Sequence, residues 1–408
     1  MGRIRLILME PQDKEGILHL EARLHLGRGK PLSLWYRVPS SAKGQVTGWA
    51  DPFVIAMIFP IMQLGKPVHV EGRVAPSLLF NLSEFMTIWA VWRPERYRAV
   101  DITAEAEVEP PKQPEKGRAV MAFSGGLDSC FTAWRHRKAL AGRRTQNLLS
   151  GVFIHGLDIP LTRKASYEDL KRQNQLLLSS VGMNLIPVAT NYREMLVGWG
   201  DSHAASLIAA LALFQKEFDT GLLGASRPYY STDPKIVWGS NAVSDPLLSS
   251  ASFRVLYDGA QFSRLDKAAL VARWPEALQY MHVCWANTEG HENCCRCEKC
   301  VRTILMFRLL GYDQPPCFGK ILNEEDIQAL KLHGEVSHRT LMDLVREAEK
   351  RGVSDEKWVI RLRELTSQKT WDRRLQNAAR DVFLDKGFSG TLLRSALYRI
   401  RSALKRGS

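Results

Sequence analysis

An apolar strand, Ala119-Val120-Met121-Ala122-Phe123, runs straight into Ser124-Gly125-Gly126-Leu127-Asp128-Ser129-Cys130 and then into a helical stretch, Phe131 to Leu140. A strand that turns on two glycines into a helix belongs to a layered α/β structure, in which helices carry the chain back to the next parallel strand. The residues beyond repeat the alternation. Strands are expected at Leu149 to His155, Leu185 to Thr190 and Leu222 to Ala225, with helices through Leu170 to Leu178 and Ala204 to Phe214. The expected fold is a doubly wound parallel sheet, whose ligands sit beyond the carboxyl ends of its strands.

The first hundred residues read differently. Ile4-Arg5-Leu6-Ile7-Leu8, Leu18-His19-Leu20-Glu21-Ala22 and Leu32-Ser33-Leu34-Trp35-Tyr36 alternate with period two, which predicts strands joined in hairpins. One helix opens at Asp51-Pro52 and another spans Pro76 to Trp92, with Leu78, Leu82, Phe85, Met86 and Trp89 on one face. Four segments follow: an N-terminal α+β domain (1–108), a Pro-rich charged linker (109–117), the α/β domain with a cysteine cluster (118–312), and a helical basic C-terminal extension (313–408).

Composition sets the class. Across 408 residues, 45% apolar and 24% charged is the balance of a globular protein rather than a fibre or a disordered tail. The run Phe53 to Leu64 is too short to span a bilayer and contains Pro60, and the opening MGRIRLILMEPQDKEG lacks a signal-peptide pattern, so the expected location is cytoplasmic. The formal charge of +13 is concentrated at one end: Arg361 to Arg406 holds twelve Lys/Arg against four Asp/Glu. Within it, Leu392 to Arg406 reads as an amphipathic cationic helix suited to an acidic partner, RNA or protein, or to packing on the chain's own body. Oligomeric state is left open.

The glycine turn has the chemistry of a phosphate site. Gly125 and Gly126 remove the Cβ atoms that would block an oxyanion, and the following helix contributes its positive N-terminal end. Ser124 and Ser129 supply hydroxyl donors, Asp128 suits a magnesium ion on the phosphates, and Phe123 ends the strand beneath. A plain strand-to-helix connection has the same outline. No Gly-Lys-Ser/Thr follows, so this is not the common NTPase loop. His155, Asp158, Asn191, Arg193 and Arg227 fall after later strands and are candidate substrate residues, with capping and loop hydrogen bonding as the other reading. His203 is as well suited to a structural role as to a catalytic one.

Five of the seven cysteines lie between Cys284 and Cys300. Cys294, Cys297 and Cys300 are separated by two-residue gaps, with Cys284 ten residues upstream of the first. Four thiolates make a closed tetrahedral site of the structural zinc kind. An iron–sulfur cluster is the rival ligand, disfavoured because no Cys-Pro follows at the ferredoxin gap. Cys295 is extra, either a bystander pointing outward or a substitute for Cys294.

Ser124-Gly125-Gly126-x-Asp128-Ser129 after the first strand of an α/β domain resembles the fingerprint of the PP-loop ATP pyrophosphatases, which have the adenine nucleotide hydrolase-like fold. The resemblance implies cleavage of ATP between its α and β phosphates, with Phe123, Ser124, Gly125, Gly126, Asp128 and Ser129 holding the nucleotide and Ser124 and Asp128 acting in catalysis. Cys284 with Cys294-Cys295-Arg296-Cys297-Glu298-Lys299-Cys300 is similar to the zinc motif of 7-cyano-7-deazaguanine synthases, queuosine-related enzymes in which Gly usually stands where Cys295 does. The combination implies a C–N ligase that uses ATP, Mg²⁺ and Zn²⁺ to join a carboxylate to a nitrogen nucleophile. It covers Arg118 to Tyr312. The two extensions make the layout closer to synthase-like proteins resembling antiviral-defence components that join a deazaguanine to a protein terminus. Sulfur insertion into a tRNA base, and a nucleotide-binding interaction module without turnover, are the alternative functions.

Overall fold

The computed structural model describes residues 4–27, 29–111, 117–195, 197–229, 237–284, 292–330, 332 and 334–367. The expected cationic helix at Leu392 to Arg406 and most of the linker lie outside these residues. Two compact units divide the chain between Val283 and Cys284, so the cysteine cluster falls in the second.

Among the described residues, the first unit is built on one eleven-stranded sheet. Its N-terminal strands are β1 (Ile4–Leu8), β2 (Gln12–Lys14), β3 (Ile17–His25), β4 (Leu32–Pro39), β5 (Val68–Val74) and β6 (Ile102–Glu107), with helices α1 (Asp51–Leu64) and α2 (Pro76–Trp92). The hairpin expectation holds for β3 against β1 and β4, but β5 pairs parallel with both β1 and β6. The reason is the pair of helices: α1 and α2 are crossovers, and a crossover returns the chain in the same direction. α1 is buried along almost its whole length, Pro60 included, so the apolar run that is too short for a bilayer becomes the central core helix.

The second set of strands is β7 (Arg118–Ala122), β8 (Asn147–His155), β9 (Asn184–Thr190), β10 (Thr220–Gly224) and β11 (Arg254–Asp258), alternating with α3 (Leu127–Arg137), α4 (Lys164–Ser180) and α5 (Trp199–Ala212) and followed by α6 (Arg264–Val271) and α7 (Pro275–Tyr280). These five strands are parallel, in the order β11-β10-β7-β8-β9. Strands from either side of the expected linker share the sheet: β4 runs antiparallel to β9, with Tyr36 opposite Thr190 and Arg37 opposite Ala189. β9 would otherwise be an open edge, with its N–H and C=O groups unpaired. Asn191 reinforces the join, accepting from the Trp35 N–H (2.9 Å) and donating to the Ser33 carbonyl (2.9 Å).

The two faces are covered unequally. On one face Val152, Ile154, Ile186 and Val188 meet Ile208 and Ala209 of α5 and the α1 side chains in a core that continues through Leu20, Leu34 and Tyr36 of the N-terminal strands. On the other, Phe153 packs on Tyr167 and Leu170 of α4. Along β3 only alternate residues are buried, Leu18, Leu20, Ala22 and Leu24, and the opposite face carries His19, Glu21 and Arg23. The second unit contains α8 (Glu298–Leu309), α9 (Glu324–Gln328), α10 (Gly334–Lys350) and α11 (Lys357–Ser367).

Candidate functional site

The chain leaves β7 for β8 and β9 on one side and later returns to β10 and β11 on the other. The sheet therefore reverses its winding between β7 and β10, and a doubly wound sheet has its ligand crevice at that point. Residues 123–126 follow β7 and residues 225–227 follow β10. The glycine turn thus stands where the topology leaves a cleft.

Gly125 adopts φ +74°, in the left-handed region that favours glycine. A Cβ there would stand 2.2 Å from Oδ1 of Asn174 on α4, so the position is closed to side chains by contact as well as by backbone. The Gly125 carbonyl accepts from the His282 N–H (2.9 Å), and the Ser129 hydroxyl donates to the Gly126 carbonyl (2.9 Å). Ser124 Oγ accepts from the Gly126 N–H (3.3 Å) and lies 3.4 Å from Ser129 Oγ. Gly126 is the N-cap of α3 and no side chain caps that helix, an arrangement whose backbone dipole favours an anion. Phe123 lies buried beneath, its N–H bonded to the Val152 carbonyl (2.9 Å).

Asp128 faces two cations. Lys267 Nζ donates to its Oδ1 (3.0 Å) and also to the Ala225 carbonyl, and Arg264 donates to Oδ2 (3.2 Å). The Lys267 side chain is 1% exposed. Two cations against one carboxylate leave net positive charge beside the turn, which suits a polyanion. Sequence reasoning missed both. The local signal was present, a basic pair at i,i+3 on a helix opened by the Ser263/Asp266 capping box, but nothing local says that α6 packs on α3. Below the turn, Asp258 accepts from Thr132 (3.0 Å) and Arg135 (2.6 Å), with His136 Nε2 at 3.3 Å. Burial pushes the Asp258 carboxyl up, but the hydrogen bond from His136, the charge of Arg135 and the hydrogen bond from Thr132 overcome it and hold the group below its ordinary value. The His136 Nδ1 accepts the Gln146 N–H (3.0 Å), which leaves the ring proton on Nε2, toward Asp258.

The candidate substrate residues divide. His155 is buried, its Nε2 at 2.9 Å from the Pro160 carbonyl and its ring stacked on Tyr167 at 4.3 Å, and burial lowers its pKa. Asn191 has its amide bonded to the neighbouring strand, as described above. Arg193 and Arg227 are brought to one aromatic row: Arg193 lies 4.4 Å over Trp199, Arg227 lies 5.4 Å over Trp238, and His203 stands between the two tryptophans at 5.8 and 4.9 Å. Asp158 is exposed, and its charge opposes the lowering that burial imposes on the Arg193 guanidinium.

In the second unit, the sulfurs of Cys284, Cys294, Cys297 and Cys300 all lie within 4.8 Å of one another. Cys284 and Cys297 are 3.9 Å apart and Cys294 and Cys300 4.0 Å. A tetrahedron of sulfurs with metal–sulfur bonds near 2.3 Å has edges of about 3.8 Å, so the four can hold a metal ion such as zinc. Cys297 is the N-cap of α8 and Cys300 lies in its first turn, where the helix's positive end favours thiolates. The hydrogen bond with the Cys284 sulfur pushes the Cys297 thiol up to about 11. Asn293, not foreseen from the sequence, braces the loops: its Oδ1 accepts the Cys284 N–H (3.2 Å) and its Nδ2 donates to the Cys317 carbonyl (2.9 Å). Cys295 is not outward-pointing. It is buried at φ +55°, its thiol donating to the Asn293 carbonyl (3.3 Å), outside the four-sulfur group.

No protein-family model, curated protein or solved structure matches the chain. No described helix is long and apolar enough to cross a membrane.

Proposed function

We propose that the chain is an ATP-dependent adenylating enzyme that activates a carboxylate and joins it to a nitrogen nucleophile, releasing AMP and pyrophosphate. The observation that carries this reading is the position of the Ser124-Gly125-Gly126 turn at the β7/β10 winding reversal, with Lys267 and Arg264 supplying net positive charge beside it.

In this reading the turn's N–H groups, the Ser124 and Ser129 hydroxyls and the α3 N-terminus hold the β and γ phosphates of ATP. A substrate carboxylate oxygen attacks the α-phosphorus and the bond to the β-phosphate oxygen breaks, so pyrophosphate leaves with that electron pair. The nitrogen nucleophile then attacks the acyl carbon, AMP leaves, and the nitrogen's proton passes to solvent. Lys267 and Arg264 offset the charge that builds on pyrophosphate, the electrostatic preorganisation that dominates phosphoryl chemistry. Mg²⁺ would supply further charge neutralisation on the phosphates, with Asp128 as its carboxylate. Arg193 and Arg227 are the candidate anchors for an anionic substrate. Zinc on Cys284, Cys294, Cys297 and Cys300 would brace the second unit, because four thiolates leave no open position for chemistry.

A deazaguanine-type acid is the proposed substrate, resting on the likeness of the turn and cysteine motifs to 7-cyano-7-deazaguanine synthases. One observation favours a second reading: Asp128 already faces two cations, an arrangement also suited to a turn that binds nucleotide without turnover. The test is incubation of the purified chain with ATP and candidate acids, 7-carboxy-7-deazaguanine among them, with and without cell extract, followed by mass spectrometry. A new small-molecule or protein conjugate supports the ligase. ATP binding with no product supports the binding module.

A further inference from the structure

Asn174 has no part in the sequence-based account, yet it is the α4 side chain that meets the glycine turn. It is 1% exposed, in the interior of α4 among Leu170, Leu177 and Leu178, which are themselves buried. Its Oδ1 stands at the Cα side of Gly125, 2.2 Å from where a Cβ would be. Its Nδ2 is buried and has no hydrogen-bond partner among the described residues. A buried donor without an acceptor destabilises a fold, and a leucine would fill much the same volume at no such cost. The amide therefore needs a reason other than packing.

The turn supplies one. The Gly125 carbonyl is taken by the His282 N–H, and the Gly126 carbonyl by the Ser129 hydroxyl and the Cys130 N–H. Neither is left to satisfy Asn174. The two ends of a carboxamide exchange by a half-turn about its last torsion, so the donor reaches the place where Oδ1 now meets Gly125 without moving α4. An acceptor seated in the turn would then satisfy it.

We infer that Asn174 is a ligand-binding residue of the phosphate turn, its Nδ2 donating to an oxygen of the bound phosphate chain. The inference rests on the nucleotide reading above and adds to it a fourth wall, from α4, that the Ser-Gly-Gly sequence does not contain. Because the amide is neutral, it selects for an acceptor oxygen without adding to the charge already supplied by Lys267 and Arg264.

The test compares the full-length wild type with Asn174→Leu and Asn174→Asp, measuring affinity for MgATP and for inorganic pyrophosphate together with the thermal midpoint. Asn174→Leu is expected to weaken both ligands about tenfold, equivalent to about 1.4 kcal/mol, while the midpoint stays level or rises because the unsatisfied donor is gone. Asn174→Asp places a carboxylate against the phosphates and is expected to weaken them further, on the order of a hundredfold. A lowered midpoint in Asn174→Leu with unchanged affinity would assign the residue a structural role and overturn the inference while leaving the nucleotide reading intact. A wild type that binds neither ATP nor pyrophosphate would overturn both. If Asn174→Leu does not fold, Asn174→Ala, which deletes the donor without adding a charge, takes its place: weakened affinity for both ligands supports the inference, and unchanged affinity overturns it.

Discussion

The glycine turn and the cysteine cluster are both strand-to-helix or loop-to-helix connections that gather polar groups at a helix N-terminus, but they are stabilised in opposite ways. The backbone of the turn is held by its own groups: Gly126, Ser124 and Ser129 brace one another, and Asp128 is held by Lys267 and Arg264. The cluster is not. Its four sulfurs lie within 4.8 Å of one another, the Cys284 sulfur pushes the Cys297 and Cys300 thiols up, and a bound cation would be needed for all four to become thiolates together. Backbone geometry builds the first site and the ligand builds the second, so changes at the turn should alter binding and changes at the cluster should alter folding.

The largest effect expected from this contrast is at the cluster. Cys297→Ser, or a strong chelator applied to the wild type, should abolish one bound metal ion per chain and make the segment from Cys284 onward sensitive to protease, while residues up to 283 stay resistant. Structural zinc sites contribute on the order of 10 kcal/mol, enough to decide whether a small unit folds. Elemental analysis with limited proteolysis measures both. An unchanged digestion pattern after metal loss would break the comparison.

Next comes the buried support of the turn. Asp258→Asn leaves the Arg135 guanidinium, in a side chain 4% exposed, without its countercharge, and should cost about 3–5 kcal/mol in urea unfolding. Because the Asp258 pKa is lowered from 3.8, its contribution is present above that value and is lost as pH falls through the lowered one. Wild type should therefore lose stability on that acid limb more steeply than the variant, and parallel acid limbs would contradict the assignment.

Asp128→Asn sharpens the comparison within the turn. It removes the carboxylate proposed to hold Mg²⁺ on the phosphates, and losing about 3 kcal/mol of that charge neutralisation in the transition state would slow pyrophosphate release about a hundredfold. Far-UV circular dichroism should remain that of the wild type, since the sheet does not depend on this carboxylate. Full pyrophosphate release by the variant would exclude Asp128 from the mechanism.

The smallest effect belongs to Cys295→Gly. A non-glycine residue at φ +55° costs roughly 1–2 kcal/mol, and relief of that strain is partly offset by glycine's greater freedom in the unfolded chain and by removal of a buried thiol from its packing. The net change should stay within about 1 kcal/mol, with metal content unaltered. A halved metal content would make Cys295 a ligand after all.

How much of this was legible in the sequence depends on how local the determining forces are. The helix Pro76–Trp92 and the strand-turn-helix around Gly125 were readable because periodicity and glycine are local signals. The cluster of Cys284, Cys294, Cys297 and Cys300 was readable because the spacing that lets cysteines share a metal ion is a local pattern. The single sheet was not: alternation in Leu32–Pro39 marks a strand but cannot say that Tyr36 pairs with Thr190. Nor could Lys267, Arg264 and Asn174 be assigned, since each reaches the turn from a helix that only tertiary packing brings there. Asn191 and His155 stood at strand ends where substrate residues are expected, and are bonded within the fold.

The most direct measurement of the central claim is the fate of the phosphates. With ATP labelled at the α-phosphate and a carboxylate that the chain accepts, wild type should release labelled AMP and one unlabelled pyrophosphate per conjugate formed, and Gly125→Val should release neither. Labelled ADP with inorganic phosphate would mean cleavage at the γ position, and the adenylating account would be wrong.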